Sequence, residues 1–336
     1  MPVNVYGDVS PRTAGFASGK FLKTAQSKMV MERVMQFDPL QANKSDTMIF
    51  RRYEQFDDAT SPLDEVTPPE GKSITYTDVT MTLQKYGDIV YFSRKITDHH
   101  EDPVVKQTSM RLGEQAAKTI ELVRIAEACT GTNVYYAGQA ASRVTTSSPL
   151  TNADLRLILR NFNRNDAEPF TEIVSPSQMV STEGITPAYF VLAHTDLKSD
   201  IANLENFVPI NQYSRTDKIL PAEYGKVDEF RFLLTSNFKP WLSSGASSSS
   251  YLTAGASGTG SADIYPVLVF ARDSYGGTFF QGKNAMHLKI VSPDNVQHGN
   301  EMGLKGFMSW WTEQAAAVLN EAWMARYEVC CTATPS

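Results

Sequence analysis

The sequence predicts an α+β protein, on three observations. Residues 102–131 hold one long helical period. Val79–Leu83 and Met286–Ile290 alternate apolar and polar residues, the two-residue period of a strand with one buried face. Between residues 146 and 290, short apolar runs of strand type interleave with short helical stripes.

Residues 1–45 read as an arm. Gly7, Pro11, Gly15 and Gly19 interrupt any regular element. Phe21, Leu22, Ala25 and Met29 then form a short helical stripe among Lys20, Lys23, Lys28 and Arg33. A basic amphipathic stretch fits a solvated helix face, and also a contact with membrane, nucleic acid or a partner. Residues 46–96 read as extended. Thr47–Phe50 opens a strand that Arg51, Arg52 and Tyr53 continue. Pro62, Pro68, Pro69 and Gly71 stiffen a turn region, and Val79–Leu83 returns. Tyr86-Gly87 breaks the return strand and Ile89–Phe92 resumes it. The expectation is a long two-stranded projection with a proline-rich tip. Isolated hairpins are marginal in water, so it must pack on another part of the chain or on another subunit.

The helix that follows is the best-defined element. Asp102 suits an N-cap, and Pro103 suits the first helical position because its missing N–H would go unpaired anyway. Val105, Thr108, Leu112, Ala116, Ile120 and Val123 recur at steps of three or four, and Leu122, Ile125 and Ala126 widen the apolar face. Thr130-Gly131 closes it, glycine being suited to a left-handed C-cap. Residues 103–129 form a spine about 40 Å long.

Thr151–Asp154 resembles a capping box and opens a helix whose face is Leu155, Ile158, Leu159 and Phe162. Tyr189–Ala193 is a buried-strand run, Asp196–Leu204 a short helix on Leu197, Ile201 and Leu204, and Phe230–Leu234 and Pro266–Phe270 are further strands. Ser243–Ser261 is rich in Ser and Gly and is expected to be a mobile surface loop. Gly303–Glu328 fits a helix through Phe307, Trp310, Trp311, Ala315, Val318 and Leu319. It fits equally well a strand, a turn at Leu319-Asn320-Glu321 and a return strand over Trp323–Tyr327.

A chain of 336 residues with 42% hydrophobic content suffices for two or three packed units. Its formal charge of −6 argues against a protein built to grip phosphates, which needs clustered Lys and Arg. Cys129, Cys330 and Cys331 cannot make a disulfide framework, and a reducing compartment is expected. No signal peptide or membrane span is expected.

Motifs that carry chemistry are incomplete. Gly71-Lys72-Ser73 matches the tail of a phosphate-binding loop, but Val66 stands where the first glycine belongs. His99-His100-Glu101-Asp102 gathers metal-ligating types, yet contiguous residues point in different directions and the run suits a solvated helix start. There is no Gly-x-Ser-x-Gly elbow. His194, His287 and His298 stand in no recognisable triad. Trp310, Trp311 and Trp323 suit an aromatic core or interface better than ligand stacking. No catalytic residue, metal or cofactor is expected.

Several segments, in colinear order over almost the whole chain, resemble one family. They include Arg51-Arg52-Tyr53, Ser61–Pro68, Thr82–Asp88, Gly131–Gly138, Ala193–Leu197, Phe207–Ser214, Gly282–Ala285 and Val318–Glu328. The chain thereby resembles the major capsid proteins of tailed bacteriophages, in particular the N-four-like podovirus branch. The resemblance implies the Hong Kong 97-type coat fold. Residues 1–45 become the N-terminal arm and 46–96 the extended β-loop. Residues 97–145 and 286–336 become the peripheral domain with the spine helix, and 146–285 the axial domain with the insert 243–261. It favours strand–turn–strand around Asn320.

It also implies a structural, non-enzymatic protein that forms pentamers and hexamers and closes an icosahedral shell around double-stranded DNA without reading its sequence. Portal, scaffolding and decoration proteins are the implied partners, with assembly in the host cytoplasm and residence in the virion. Forty-five residues are too few for a scaffolding domain. Some relatives crosslink their shells through a Lys and an Asn, and Lys72 is the candidate here. The inter-subunit residues expected on the loop are Arg51, Arg52, Tyr53, Pro62, Leu63, Pro68, Pro69 and Lys72. The rival readings are an encapsulin-like compartment and an α+β hydrolase or transferase with its site in 146–290.

Overall fold

Long strands with alternating faces and one long helix fix the architecture. The computed structural model describes residues 4–5, 29–41, 45–54, 56, 58–60, 71–95, 104–174, 182–213, 220, 222–247, 250–253, 260–280, 286–295 and 300–333. In chain order the strands are β1 (Asn4–Val5), β2 (Gln36–Phe37), β3 (Thr47–Tyr53), β4 (Tyr76–Thr82), β5 (Gln84–Ser93), β6 (Val134–Tyr136), β7 (Phe170–Val174) and β8 (Thr182–His194). They continue with β9 (Phe207–Pro209), β10 (Glu223–Val227), β11 (Phe230–Thr235), β12 (Ile264–Phe270), β13 (Tyr275–Phe279), β14 (His287–Val291), β15 (Lys305–Val318) and β16 (Met324–Cys330). The α-helices are α1 (Val104–Ala128), α2 (Asn152–Arg164) and α3 (Lys198–Ala202).

A six-stranded sheet runs β1-β5-β15-β13-β2, with β14 also on β15. An eight-stranded sheet runs β6-β16-β12-β8-β11-β10-β9, with β7 on β8. β3 and β4 pair only with each other. The strand–turn–strand expected around Asn320 is present, but its arms part company. β15 belongs to the first sheet and β16 to the second. Likewise β13 joins the six-stranded sheet although it precedes residue 286.

The sequence reading of 79–92 needs correction. Gly87 does not break a strand. β5 runs unbroken and pairs with β15 from Ser93↔Lys305 to Gln84↔Gln314, so it is part of a sheet and not of the projection. A Cβ at Gly87 would lie 2.5 Å from the Trp310 carbonyl oxygen, so glycine permits the close approach. Gly87→Ala is expected to cost about 1–3 kcal/mol through this overpacking. An unchanged urea midpoint would show that β5 shifts freely.

Helix α1 binds the two sheets together. Its Leu112 and Ala116 pack with Phe92, Met308 and Trp310 on the six-stranded sheet. Its Ile125 and Ala128 pack with Phe190, Leu192, Phe270 and Met324 on the eight-stranded one. Gly131 is not in the left-handed region, contrary to the expected cap. The chain leaves the helix through Thr130, whose hydroxyl donates to the Glu127 carbonyl, and Thr132, whose N–H donates to Glu321 Oε2 at 2.8 Å.

In the eight-stranded sheet β12 and the Tyr189–Ala193 stretch of β8 are buried on both faces, so they read as continuous apolar runs. Tyr189, Val191 and Ala193 face α2 through Leu155, Ile158 and Phe162, while Phe190 and Leu192 face α1. The expected cap of α2 is present. Thr151 Oγ1 accepts from the Asp154 N–H and donates to Asp154 Oδ2, which also receives the Tyr327 hydroxyl at 2.7 Å. Burial and the adjacent Asp154 carboxylate push the Tyr327 phenol up.

Within the expected arm, residues 29–41 dock on the core. Met31 and Val34 are buried, β2 pairs with β13, and Met35 lies over Gly277, where a Cβ would sit 2.5 Å from its Cε. Of the helical stripe read on Phe21, Leu22, Ala25 and Met29, only Met29 is described and it is not helical; the rest of the stripe and the helix start at Asp102-Pro103 lie outside the described residues. The insert expected to be a loose loop is fastened at both ends. Ser247 bridges Ser261, Tyr251 bridges Thr332, and the Ala246 N–H donates to the Thr146 carbonyl. Its described backbone finds partners beside β12 and β16, while residues 248–249 and 254–259 of the expected mobile loop lie outside the described residues.

Candidate assembly surfaces

The β3–β4 hairpin is positioned by its root and exposed along its length. Met81 is buried, and Met48, Phe50 and Val79 on the same face are half-buried. Antiparallel register puts Ile49 opposite Thr80, Arg51 opposite Asp78 and Tyr53 opposite Tyr76 on the other face. That face holds Ile49, Tyr53 and Tyr76, which are 54%, 64% and 53% exposed. Toward the tip, Phe56 and Ile74 are exposed as well.

Arg51 organises this face. Its guanidinium donates twice to Asp78 at 2.8 Å and lies 4.1 Å from the centre of the Tyr76 ring. Tyr53 meets Tyr76 edge to face with centroids 6.4 Å apart. The hydrogen bonds from Arg51 hold the Asp78 carboxyl below its usual range, and Asp78 holds Arg51 above its own. Both groups stand in solvent, so the pair orients side chains more than it stabilises the fold.

Of the residues expected at inter-subunit contacts, Arg51 and Tyr53 are thus brought together on one face. Arg52 points to the opposite face, across from Thr77, and Lys72 is exposed beyond the strand end. Pro62, Leu63, Pro68 and Pro69 lie outside the described residues. Ile49, Tyr76 and Asp78 were missed, although the alternation through Thr47–Tyr53 marks Ile49 as sharing a face with Arg51 and Tyr53.

A second exposed surface is the face of the six-stranded sheet that α1 does not cover. Cross-strand register aligns Tyr91 with Phe307 and Gly87 with Trp311, and places His287 beside Trp311. Ile89, Tyr91 and Trp311 remain 40%, 36% and 38% exposed. The His287 ring stacks on Trp311 at 3.9 Å, and Tyr91 and Phe307 are 6.3 Å apart. Lys85 sits 5.9 Å from the Trp311 ring and pairs with Glu313 at 3.2 Å, while Lys289 lies 5.8 Å from the Phe307 ring. Singly scattered apolar residues need no explanation, but aromatic residues gathered on a sheet face make it a candidate contact surface.

The side chains of reactive type are placed structurally. His194 Nδ1 accepts from the Asp196 N–H at 3.1 Å. Burial pushes the Cys129 and Cys330 thiols up to about 11 and Cys331 to about 12, which keeps them protonated at neutral pH. Residues 71–75 lead into strand β4 and not into a helix, so Gly71-Lys72-Ser73 lacks the setting of a phosphate loop. His99, His100, Glu101 and Asp102 lie outside the described residues. Among the described residues no group of three or more His, Cys, Asp or Glu converges as metal ligands, and no helix is long and apolar enough to cross a membrane.

The architecture has counterparts. The capsid of Ralstonia phage GP4 superposes with a TM-score of 0.65 at 10% identity, covering 92% of this chain and 93% of that one. The capsid asymmetric unit of cyanophage Pam1 gives 0.60 at 10% identity, covering 90% and 89%. At such identities the likeness concerns the fold, which is the Hong Kong 97-type coat fold. The major capsid protein of Pseudomonas phage KPP21 is 21% identical over 261 residues, 72% of this chain. The match spans 65% of that curated relative's length. A family model described as phage capsid protein matches residues 76–294, more than half of the sequence. The chain belongs to the phage capsid protein family.

Proposed function

We propose that this chain is the major coat protein of a tailed phage, without enzymatic activity, assembling as pentamers and hexamers into an icosahedral shell around double-stranded DNA. Family membership over residues 76–294 carries this reading. The colinear segments quoted above favour the N-four-like branch. We assign the peripheral region to α1 with the six-stranded sheet, and the axial region to the eight-stranded sheet with α2. The arm belongs to residues 1–45 and the extended loop to 46–82, since β5 joins the six-stranded sheet.

The hairpin face of Ile49, Tyr53 and Tyr76 packs on a neighbouring subunit, and the uncovered face around Ile89, Tyr91 and Trp311 is its matching receptor. Specific contacts bury about 1,600 Å² in total, and a subunit with several neighbours sums several of them. The formal charge of −6 suits a container that holds DNA without adhering along its length. A portal, and scaffolding or decoration proteins where present, complete the particle, which is built in the host cytoplasm.

Co-expression with the neighbouring head genes, followed by sedimentation and negative-stain imaging, tests the reading. Uniform closed shells are expected. A stable monomer under all these conditions would overturn it.

A further inference from the structure

Glu121 lies on α1 with its side chain wholly buried, where residues 29–41 cross the helix. Its Oε1 accepts from the backbone N–H groups of Val30 and Met31, both at 3.0 Å. Its Oε2 is buried with no hydrogen-bond partner among the described residues. A glutamate is almost never fully buried unless paired, and this one has no direct cationic partner among the described residues. The nearest guanidinium, Arg124, is engaged elsewhere. It donates to Glu32 Oε1 at 3.1 Å and to Gln314 Oε1 at 2.7 Å.

The crossing segment, or strap, is held by more than these two bonds. Met31, Val34, Met35 and Leu40 are buried, β2 pairs with β13, and Leu40 bridges Phe280. Burial of these apolar side chains favours docking. Against that, a carboxylate without an ion-pair partner must be taken out of water each time the strap docks.

We propose that Glu121 and the strap 29–41 form a proton-controlled latch, closed when the carboxyl is neutral and loosened when it ionises. A proton on Oε2 removes the buried charge and leaves Oε1 free to accept both backbone N–H groups. The charged and titratable groups around it do not replace that proton. On α1 the neighbour is Arg124, on the strap it is Glu32, and on β13 it is Tyr275, whose hydroxyl donates to the Arg124 carbonyl at 2.7 Å. From β15 the neutral Gln314 accepts from Arg124.

The sign follows from linkage. Burial pushes the docked carboxyl from 4.5 up to about 7, outweighing the two backbone bonds and Arg124, which pull it down. On a lifted strap the group returns to solvent and its ordinary value. Docking therefore takes up a proton. The latch is tightest below about 4.5, loosens through the interval up to about 7 and is flat above it, an overall range of about two orders of magnitude in the docking equilibrium. The device goes beyond the coat reading, since it belongs to the single subunit.

Hydrogen–deuterium exchange on the full chain, compared between pH 5 and pH 8 and corrected for intrinsic rates, reads it directly. Peptides covering 29–41 are expected to lose roughly tenfold to hundredfold of their protection over that range, while peptides from β12 do not change. In Glu121→Gln the strap's protection should no longer depend on pH, whatever its absolute level. Should Glu121→Gln fold poorly, Glu32→Gln provides the second reading. Removing that opposing carboxylate is expected to move the wild-type midpoint to lower pH. Strap protection in the wild type that is flat with pH, persists unchanged in Glu121→Gln, or keeps its midpoint in Glu32→Gln would overturn the latch. Shell formation plays no part in the measurement, so failure here and failure of the coat reading are separate results.

Discussion

Replacing Ile49, Tyr53 and Tyr76 together by serine is expected to leave a folded subunit that forms no shells. These three side chains are more than half exposed and touch none of the buried clusters, so the fold has little to lose. Surface changes away from special features shift stability by about ±0.5 kcal/mol. On a neighbour they would each bury apolar surface worth about 1.5–3 kcal/mol when fully covered. That loss recurs at every copy of the contact, and closed assemblies fail when one repeated interface fails. Excising Pro62–Gly71 tests the same arm at its tip and should give the same phenotype. Circular dichroism melts check that the subunit stays folded, and sedimentation velocity reads assembly. Shells of normal yield from both variants would remove the hairpin from the list of interfaces.

Local chemistry made some elements legible and topology concealed others. The spine helix and α2 announced themselves because their signals are local: steps of three and four, and a capping Thr151 three residues before Asp154. β12 was readable because a strand buried on both faces is a continuous apolar run. β13 was not. Its core is Tyr275-Gly276-Gly277, and two glycines argue against a strand unless something must lie close above them, as Met35 and Leu319 do. The strap was concealed for a related reason. Met31, Val34 and Met35 follow an arm full of breakers, and the Met31 N–H donates to Glu121, 90 residues away. A glutamate in a helix reads as solvated until its neighbours are known.

The same gap appears at the proposed interface. Arg51 and Tyr53 stood out as a motif, but Tyr76 and Asp78 enter only through the β3–β4 register, which no local pattern fixes across a loop of this length. The parting of β15 and β16 into different sheets is the extreme case. The pattern around Asn320 specifies strand, turn and strand, and says nothing about which sheet takes each arm.

Glu223→Ala is expected to cost about 3–5 kcal/mol of folding free energy, because it removes the carboxylate that pairs with a buried guanidinium. Glu223 and Arg231 have side-chain exposures of 0% and 4%. Arg231 donates to both carboxylate oxygens at 2.7 and 2.8 Å. The same carboxylate also accepts from the Tyr213 hydroxyl and the Leu220 N–H, each at 2.8 Å, so alanine takes a partner from several donors at once. The hairpin supplies the internal comparison. Arg51 and Asp78 make the same two-bond fork at 2.8 Å, but in solvent, and water replaces either partner when the other is removed. Asp78→Ala should therefore leave the urea midpoint where it is, while Glu223→Ala lowers it by a large fraction of a stability that is typically about 5–15 kcal/mol. The loss also has a stated cause that can be reversed. Glu223→Leu combined with Arg231→Met removes both charges at similar volume, and buried pairs exchanged for packed apolar groups are often neutral or stabilising. Recovery of the midpoint in the double variant would locate the cost in the lost charge pairing. If Glu223→Ala unfolds at the wild-type midpoint, Arg231 reaches water and the pair does not hold β10 to β11.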